Sequence, residues 1–482
     1  MPLAGSLETW FSRSIGYPLI VNGNWRRSKS RARFKQFLRT RHEMQSWPLW
    51  KQQAHQLERL RELLHHAGIR VPYYRDLFAS IRFDPLSVRS LQQLEALPLL
   101  TKDIIREQAA RLVAEDAEAR GSFRNSSGGS TGHPLTFLQD ANYRDHTEAA
   151  IWTSDRMAGR RTGDRIALLW GSNRDTSLGE GLKGLAYSIL RNEWWYNSFD
   201  MSEDRMHRYH RSMQHEPPDL LVAYASSAYL FASFLEANHM KPAYPRVSII
   251  PSAEVLRDDM REVIERVFDR PVFNRYGSRE VGIIASECES HLGMHVNTAD
   301  LVVECVGDDV YESPGELAIT QLNNYAMPFI RYRIEDMAVL ENAPCACGRE
   351  APLIRRVLGR TTDTIRTRAG DLIHGEYFTH LFYGVRGIAK FQFVQETLDS
   401  YRLTIVPGAG FEPSALDPVK KEILKAVGEG CAFYIERVDD IPPTESGKFL
   451  FTVSKVPLPF AAPGERAGDR FAARDRSEAR RV

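Results

Sequence analysis

From about residue 160 to residue 335 the chain alternates short apolar runs with amphipathic stretches, and this alternation limits the fold more than any other feature. DRIALLWG, from Asp164, reads as a buried strand. PDLLVAYASS is a strand running into a helix that holds Leu230, Phe231 and Phe234. RVSIIPSAE is a strand ending in turn residues, LRDDMREVIERVF an amphipathic helix, and PVFNRYGS a returning strand. Strands and helices in this order pack as a largely parallel sheet, with functional loops at the carboxyl ends of the strands. The expected fold is α/β: a large N-terminal domain with mainly parallel sheets packed by helices, then a small α+β domain.

The flanks set the expected domain limits. Residues 24–45 gather Lys and Arg, including Arg26, Arg27, Arg31 and Arg33, with Trp10 and Phe11 as apolar neighbours. A peripheral membrane patch could use such residues, but a solvated charged helix is the simpler expectation. KQQAHQLERLRELLHHAG then puts Leu57, Leu60, Leu63 and Leu64 on one helical face, and Pro72 breaks that helix. Past residue 358, VLGRTTDTIRTRAGDLIHGEYF has the texture of short strands and turns. From Ala461 onward the chain mixes Arg, Asp, Glu, Ala and Gly without periodicity, as in a disordered tail or a loosely docked helix. The division is a basic helical extension (1–50), a large domain (51–358), a small domain (359–460) and a polar tail (461–482).

Bulk properties narrow the class. A chain of 482 residues exceeds one compact core. A net charge of +1 gives no global field for nucleic acid, and five cysteines are not the pattern of a secreted disulfide scaffold. The opening residues lack a signal-peptide pattern, and no run approaches the ~18 apolar residues of a membrane span. A cytoplasmic enzyme without stable membrane insertion is the expectation.

The first chemical motif is SSGGSTGHP, from Ser126 to Pro134. Three glycines and four hydroxyl residues suit a backbone that wraps phosphate oxygens with N–H groups and hydroxyls. The P-loop spacing fails, and His133 stands where that motif wants lysine. Gly128, Ser130 and Gly132 do fit the nucleophile-elbow pattern G-x-S-x-G. That turn needs a strand before it and a helix after it, whereas LTFL after Pro134 reads as a strand.

Four further segments follow: YGSREVG (Tyr276 to Gly282), IRYRIEDMAVL (Ile330 to Leu340), GRTTDTIRTRAGDLI (Gly359 to Ile373) and PTESGKF (Pro443 to Phe449). With the Gly/Ser loop they resemble, in order and spacing, the motifs of the adenylate-forming superfamily of acyl-CoA synthetases. LRELLHHAGIRVPYYRDLF, LPLLTKDIIRE and MPFIRYRIEDMAVLENAPCACGRE resemble the phenylacetate–CoA ligase family and its capsule-biosynthesis relatives in particular. The similarity covers residues 50–455.

The resemblance implies a set of roles. Ser127, Gly128, Gly129, Ser130, Thr131 and Gly132 would hold the phosphates of ATP. Tyr276, with Gly277 and Ser278, would lie against the adenine, Asp336 would accept from the ribose hydroxyls, and Arg360 would contact the nucleotide. Glu280 would ligate Mg2+, and Lys448 would reach the developing charge from the small domain. Asp363 matches the hinge about which that mobile domain rotates, and Gly370 lies on the face presented for thioester formation. Two departures stand out: Arg279 replaces the threonine that usually precedes the glutamate, and Ile334 and Glu335 replace the Thr-Gly that usually precedes the ribose aspartate. Arg279 is therefore a candidate phosphate or substrate-anion contact. Trp170, Gly171, Tyr224 and Ala225, at strand ends, are candidates for the wall of an acid pocket.

Cys345 and Cys347 form a C-x-C, with Cys288 and His295 more than fifty residues upstream and His291 as the alternative histidine. Thiolates and imidazole in one region suit tetrahedral zinc. From spacing alone, buried free cysteines account for the set equally well; some members of the resembling family carry a comparable Cys/His set, which keeps structural zinc in play. Cys305 and Cys431 read as packed thiols. The expected activity is an acid–thiol ligase using ATP, Mg2+ and coenzyme A on a small carboxylic acid, with no nucleic-acid partner and with a homodimer left open. The alternative hands the acyl group to an amine, hydroxyl or carrier protein; a non-catalytic nucleotide-binding scaffold is a third reading.

Overall fold

A computed structural model describes residues 28–127, 135–170, 191–198, 203–307, 309–341, 343–360, 364–368, 372–374, 387–442 and 450–456, with Ser188, Met201, Phe378, Leu381, Phe382 and Val385 between them. Two helices open the described chain, α1 (Ser28–Met44) and α2 (Leu49–Arg70). The leucine face of α2 is in the core, with Leu60, Leu63 and Leu64 buried and Leu57 partly so. Val71 interrupts it, and Pro72 occupies the first turn of α3 (Pro72–Ser80), where its missing N–H leaves no bond unmade. α4 (Lys102–Glu107) is capped by Thr101, whose hydroxyl accepts from the Ile104 N–H at 3.2 Å.

The Gly/Ser loop springs from an antiparallel pair, β1 (Phe123–Ser126) and β2 (Thr136–Gln139). A strand rather than a helix follows the loop, so the nucleophile-elbow geometry is absent. Asp140 then caps α5 (Ala141–Met157), accepting from the Tyr143 N–H at 2.8 Å.

Among the described residues the large sheet holds eleven strands: β3 (Ile166–Trp170), β4 (Glu193–Asn197), β5 (Leu220–Tyr224), β6 (Ser248–Ser252), β7 (Arg275–Ser278), β8 (Gly282–Glu287), β9 (Met294–Val296), β10 (Leu301–Val306), β11 (Gly315–Gln321), β12 (Tyr332–Glu341) and β13 (Leu353–Arg360). Their order is β10-β11-β12-β13-β9-β8-β7-β6-β5-β3-β4. From β4 to β7 every pairing is parallel, and from β7 to β10 every pairing is antiparallel. The α/β expectation holds, but the sheet is mixed rather than mainly parallel: among the described strands four pairings are parallel and six antiparallel. Helices α6 (Glu203–His215), α7 (Ala225–Ala237) and α8 (Asp258–Phe268) alternate with the parallel strands, and Phe231, Leu235, Ile264 and Phe268 pack in one core there. β13 runs to Arg360, slightly past the expected domain limit at 358.

A hairpin of β14 (Thr364–Arg366) and β15 (Leu372–His374) precedes a second sheet, ordered β18-β17-β16-β19, of β16 (Ile388–Thr397), β17 (Ser400–Pro407), β18 (Ala432–Arg437) and β19 (Thr452–Ser454). With α9 (Asp417–Val427) it closes its own core around Phe393, Tyr401 and Ile423.

One expectation needs correcting. The basic segment is not simply a solvated helix: Phe34 of α1 packs on Ala149 and Trp152 of α5, and the Arg41 guanidinium is buried against Asp300. His146 completes that cluster, its Nδ1 lying 3.0 Å from Asp300 Oδ1 and 3.1 Å from Arg41 Nη2. Burial, with the Arg41 charge beside it, outweighs Asp300 and pushes the His146 pKa down to about 4 from an ordinary 6.5. The unfolded chain thus binds more protons between these values, and stability is lost as pH falls through that window. Denaturation curves collected from neutral pH down to pH 4 should show a loss of about 3 kcal/mol from this site. His146→Gln should flatten that part of the profile; an unchanged slope would count against it.

Candidate active site

β7 ends in Tyr276, Gly277 and Ser278, and the chain turns through Arg279 and Glu280 into β8. The turn is tight enough to require glycine: a Cβ at Gly277 would lie 2.7 Å from the Gly282 carbonyl oxygen. Ser278 Oγ accepts from the Val281 N–H at 3.4 Å, and Glu280 is buried.

The β1–β2 pair is fastened to this turn by Gln139, a buried side chain at the end of β2. Asn125 donates to Gln139 Oε1 at 2.9 Å, which directs Nε2 at the carbonyls of Arg279 (2.8 Å) and Glu280 (3.4 Å). The Tyr143 hydroxyl lies 3.4 Å from the Arg279 carbonyl, and Gln321 donates to the Val281 carbonyl at 2.8 Å. The turn is therefore held by its backbone oxygens. Ser127 continues the hairpin, its N–H donating to the Leu135 carbonyl at 2.9 Å and its Oγ accepting from the Leu135 N–H at 2.8 Å.

The third piece is β12. Against β11 its register breaks: Met337 pairs with Glu316 and Arg333 with Ala318, so Ile334, Glu335 and Asp336 face the single residue Leu317. Such a bulge re-aims the side chains it carries. Asp336 Oδ2 accepts from the Tyr276 hydroxyl at 2.5 Å. Across β12's other edge, Asp336 pairs with Arg360 of β13, and Met337 with Gly359. The Gly/Ser hairpin, the YGSRE turn and the RYRIED strand thus meet at one place.

Trp170 and Tyr224 close the adjacent strands β3 and β5 with ring centroids 4.2 Å apart, and Ala225 is buried at the start of α7. Gly128, Gly129, Ser130, Thr131, Gly132, Gly171, Asp363, Gly370 and Lys448 lie outside the described residues. Sequence reasoning missed Gln139 and the Lys102–Glu335 ion pair, at 2.7 Å. Gln139 had no local signal beyond its place at a strand end.

The Cys/His residues also converge. The ligand atoms of Cys288, His295, Cys345 and Cys347 all lie within 4.8 Å of one another. Cys288 and Cys345 Sγ are 3.6 Å apart, and Cys347 Sγ is 3.2 Å from His295 Nε2. Tetrahedral zinc with bonds of about 2.3 Å to sulfur sets its sulfurs about 3.8 Å apart. His295 Nδ1 lies 3.2 Å from the Ala351 carbonyl, which leaves Nε2 to face the thiols. Burial holds the imidazole below its ordinary pKa and hence neutral. His291 belongs elsewhere, 3.4 Å from Glu287 and against the Phe273 ring.

Comparison with known proteins bears on the fold and on the relatives of the chain. Residues 365–455 match the model of the CapK C-terminal domain. Protein CapK of Staphylococcus aureus is 23% identical over 407 residues, covering 83% of this chain and 89% of its own. A phenylacetate–coenzyme A ligase of Thermus thermophilus is 26% identical over 338 residues, covering 68% of this chain and 74% of its own. The crystal structure of 2-hydroxyisobutyryl-CoA ligase in the postadenylation state superposes with a TM-score of 0.66 at 19% identity, covering 90% of this chain and 94% of that one. The chain is homologous to CapK and to the phenylacetate–coenzyme A ligases, and it has the fold of the adenylate-forming acyl-CoA ligases.

Proposed function

We propose that this protein activates a carboxylic acid with ATP and then transfers the acyl group to coenzyme A. The observation that carries this reading is the meeting of hairpin, turn and bulge through Gln139 and the Tyr276–Asp336 bond, because it brings separate nucleotide motifs to one place. In the first step a carboxylate oxygen attacks the α-phosphorus, and pyrophosphate leaves. In the second, the thiol sulfur attacks the acyl carbon, AMP departs with the C–O electron pair, and the thiol proton is released.

Each role follows from the chemistry of its group. Asp336 has one oxygen engaged by Tyr276, so the other can accept from ribose hydroxyls. Tyr276, held by its hydroxyl, would present its ring to the adenine. Glu280 would hold Mg2+, a hard cation that takes carboxylate oxygen and offsets phosphate charge. Arg279 and Lys448 would meet the charge that builds on the reacting phosphate, with the Ser127–Gly132 loop supplying N–H and hydroxyl donors. Trp170 and Tyr224 would line the acid pocket. A reaction that consumes ATP and coenzyme A suits the cytoplasm.

A second reading keeps the first step and passes the acyl group to an amine, a hydroxyl or a carrier protein. The match of residues 365–455 to the CapK C-terminal domain favours giving it weight, since the small domain shapes the second step.

Pyrophosphate release measured across a panel of carboxylic acids, with and without coenzyme A, tests both. The expected result is acid-dependent release that falls by about 10²–10³-fold in Lys448→Ala, with a thioester formed when coenzyme A is present. Release without any thioester selects the second reading; no acid-dependent release rejects activation itself.

We further propose that Cys288, His295, Cys345 and Cys347 hold a structural zinc ion. Its chemistry there would be to cross-link the end of β8, β9 and the turn before β13. Metal analysis of the purified chain should give about one zinc per molecule. Cys345→Ala should abolish that content and lower the melting temperature, and a wild-type chain free of zinc would refute the assignment.

A further inference from the structure

We propose that Lys102 is a positioning residue for the nucleotide: through its ion pair with Glu335 it holds the β12 bulge that aims Asp336 at the ribose. This rests on the reading of Asp336 given above. Glu335 has φ +69°, a left-handed conformation that side chains other than glycine adopt at a cost in energy. It sits in the middle of the three residues that face Leu317, immediately before Asp336. A residue in that conformation persists where its surroundings fix it.

Lys102 supplies such a restraint. Its Nζ lies 2.7 Å from Glu335 Oε2, and the two side chains are only 12% and 10% exposed, so solvent screens the pair little. The lysine is itself fastened to β12. Leu100, two residues earlier, donates to the Arg331 carbonyl at 3.0 Å, and its own carbonyl accepts from the Arg333 N–H at 3.0 Å. Thr101 then caps α4, which makes Lys102 the first residue of the helix. The helix dipole disfavours a cation at that end, so helix stability does not explain a lysine here. The ion pair with Glu335 does.

Asp336 is thus fixed twice. The Tyr276 hydroxyl holds one carboxylate oxygen, and the Lys102–Glu335 pair sets the backbone just before it. Buried Arg333, bonded to Glu316 at 2.8 Å, anchors the near side of the bulge. Without Lys102 the Glu335 carboxylate loses the ammonium 2.7 Å away. The bulge then relaxes, and the second Asp336 oxygen moves off the ribose while the YGSRE turn stays as it is.

The test is calorimetric titration of the full chain with ATP and with 2′-deoxy-ATP, in the absence of any acid. Lys102→Met should weaken ATP binding by about tenfold, the size expected for one lost charge-assisted contact. It should change 2′-deoxy-ATP binding much less, so that the preference for the ribose shrinks, as in Asp336→Ala. Glu335→Gln should behave likewise, and the exchanged pair Lys102→Glu with Glu335→Lys should recover most of the preference. In turnover assays KM for ATP should rise while kcat changes by less than about threefold. Three results would overturn the proposal: wild-type affinity and preference in Lys102→Met, an equal loss for both nucleotides, or an exchanged pair that recovers nothing. Failure of the acid-ligase reading would show separately, as no acid-dependent pyrophosphate from a chain that still binds ATP with this dependence on Lys102.

Discussion

The site depends on β7, the strand that bonds in parallel to β6 on one side and antiparallel to β8 on the other. Where the direction changes, the tight turn between Gly277 and Gly282 follows Tyr276 and carries Arg279 and Glu280. A buried arginine secures the seam: Arg275 Nη1 donates to Asp155 Oδ1 at 2.9 Å, and the other Asp155 oxygen accepts from Arg160 at 2.7 Å. Asp155 lies on α5, whose Tyr143 reaches the Arg279 carbonyl. One helix therefore touches β7 at its base and the turn at its tip.

Buried charge gives this arrangement its definition. Removing one partner of a buried ion pair costs far more than the pair contributes to stability, because the survivor is left desolvated. Arg275–Asp155, Arg333–Glu316 and Arg41–Asp300 are each such pairs; the first and last join elements 120 and 259 residues apart, and Arg333–Glu316 ties β12 to its neighbour β11. Burial drives the Arg275 pKa down, and Asp155 opposes that shift by stabilising the charge. A displaced α1 or a slipped β12 would strand a charge, so these pairs penalise alternative packings. α1 is held to α5 by that means as well as by Phe34.

Part of the large sheet was legible because strand and helix periodicities are local. The leucine face of α2, the break at Pro72 and the strands β3, β5, β6 and β7 follow from patterns within a few turns of chain, whereas β4 and the antiparallel strands β8 to β13 did not stand out. The nucleophile elbow could be set aside at the Gly/Ser loop because LTFL reads as a strand. Convergence is harder to see. Cys288 and Cys345 are 57 residues apart and meet only because β8, β9 and β13 are neighbours in the sheet. Lys102 and Glu335 are separated by 233 residues, and Gln139 acts on backbone oxygens, which carry no sequence signature. Arg41 was hidden differently: within a basic run, one buried cation looks like the solvated ones around it.

Glu335 shows how a departure from a family pattern can be a substitution of means. Where the superfamily usually has glycine before the ribose aspartate, the left-handed backbone is available without a side-chain penalty. Here the same place in the chain holds glutamate at φ +69°, with strain of about 1–3 kcal/mol. A carboxylate that met only water would have no reason to tolerate this. Held 2.7 Å from a mostly buried ammonium, it gains an interaction of comparable size. The conformation that glycine permits is here enforced by a charge pair. An enforced bulge has fewer states open to it than a glycine-bearing one, so the Asp336 carboxylate, bonded to Tyr276, is held in one orientation.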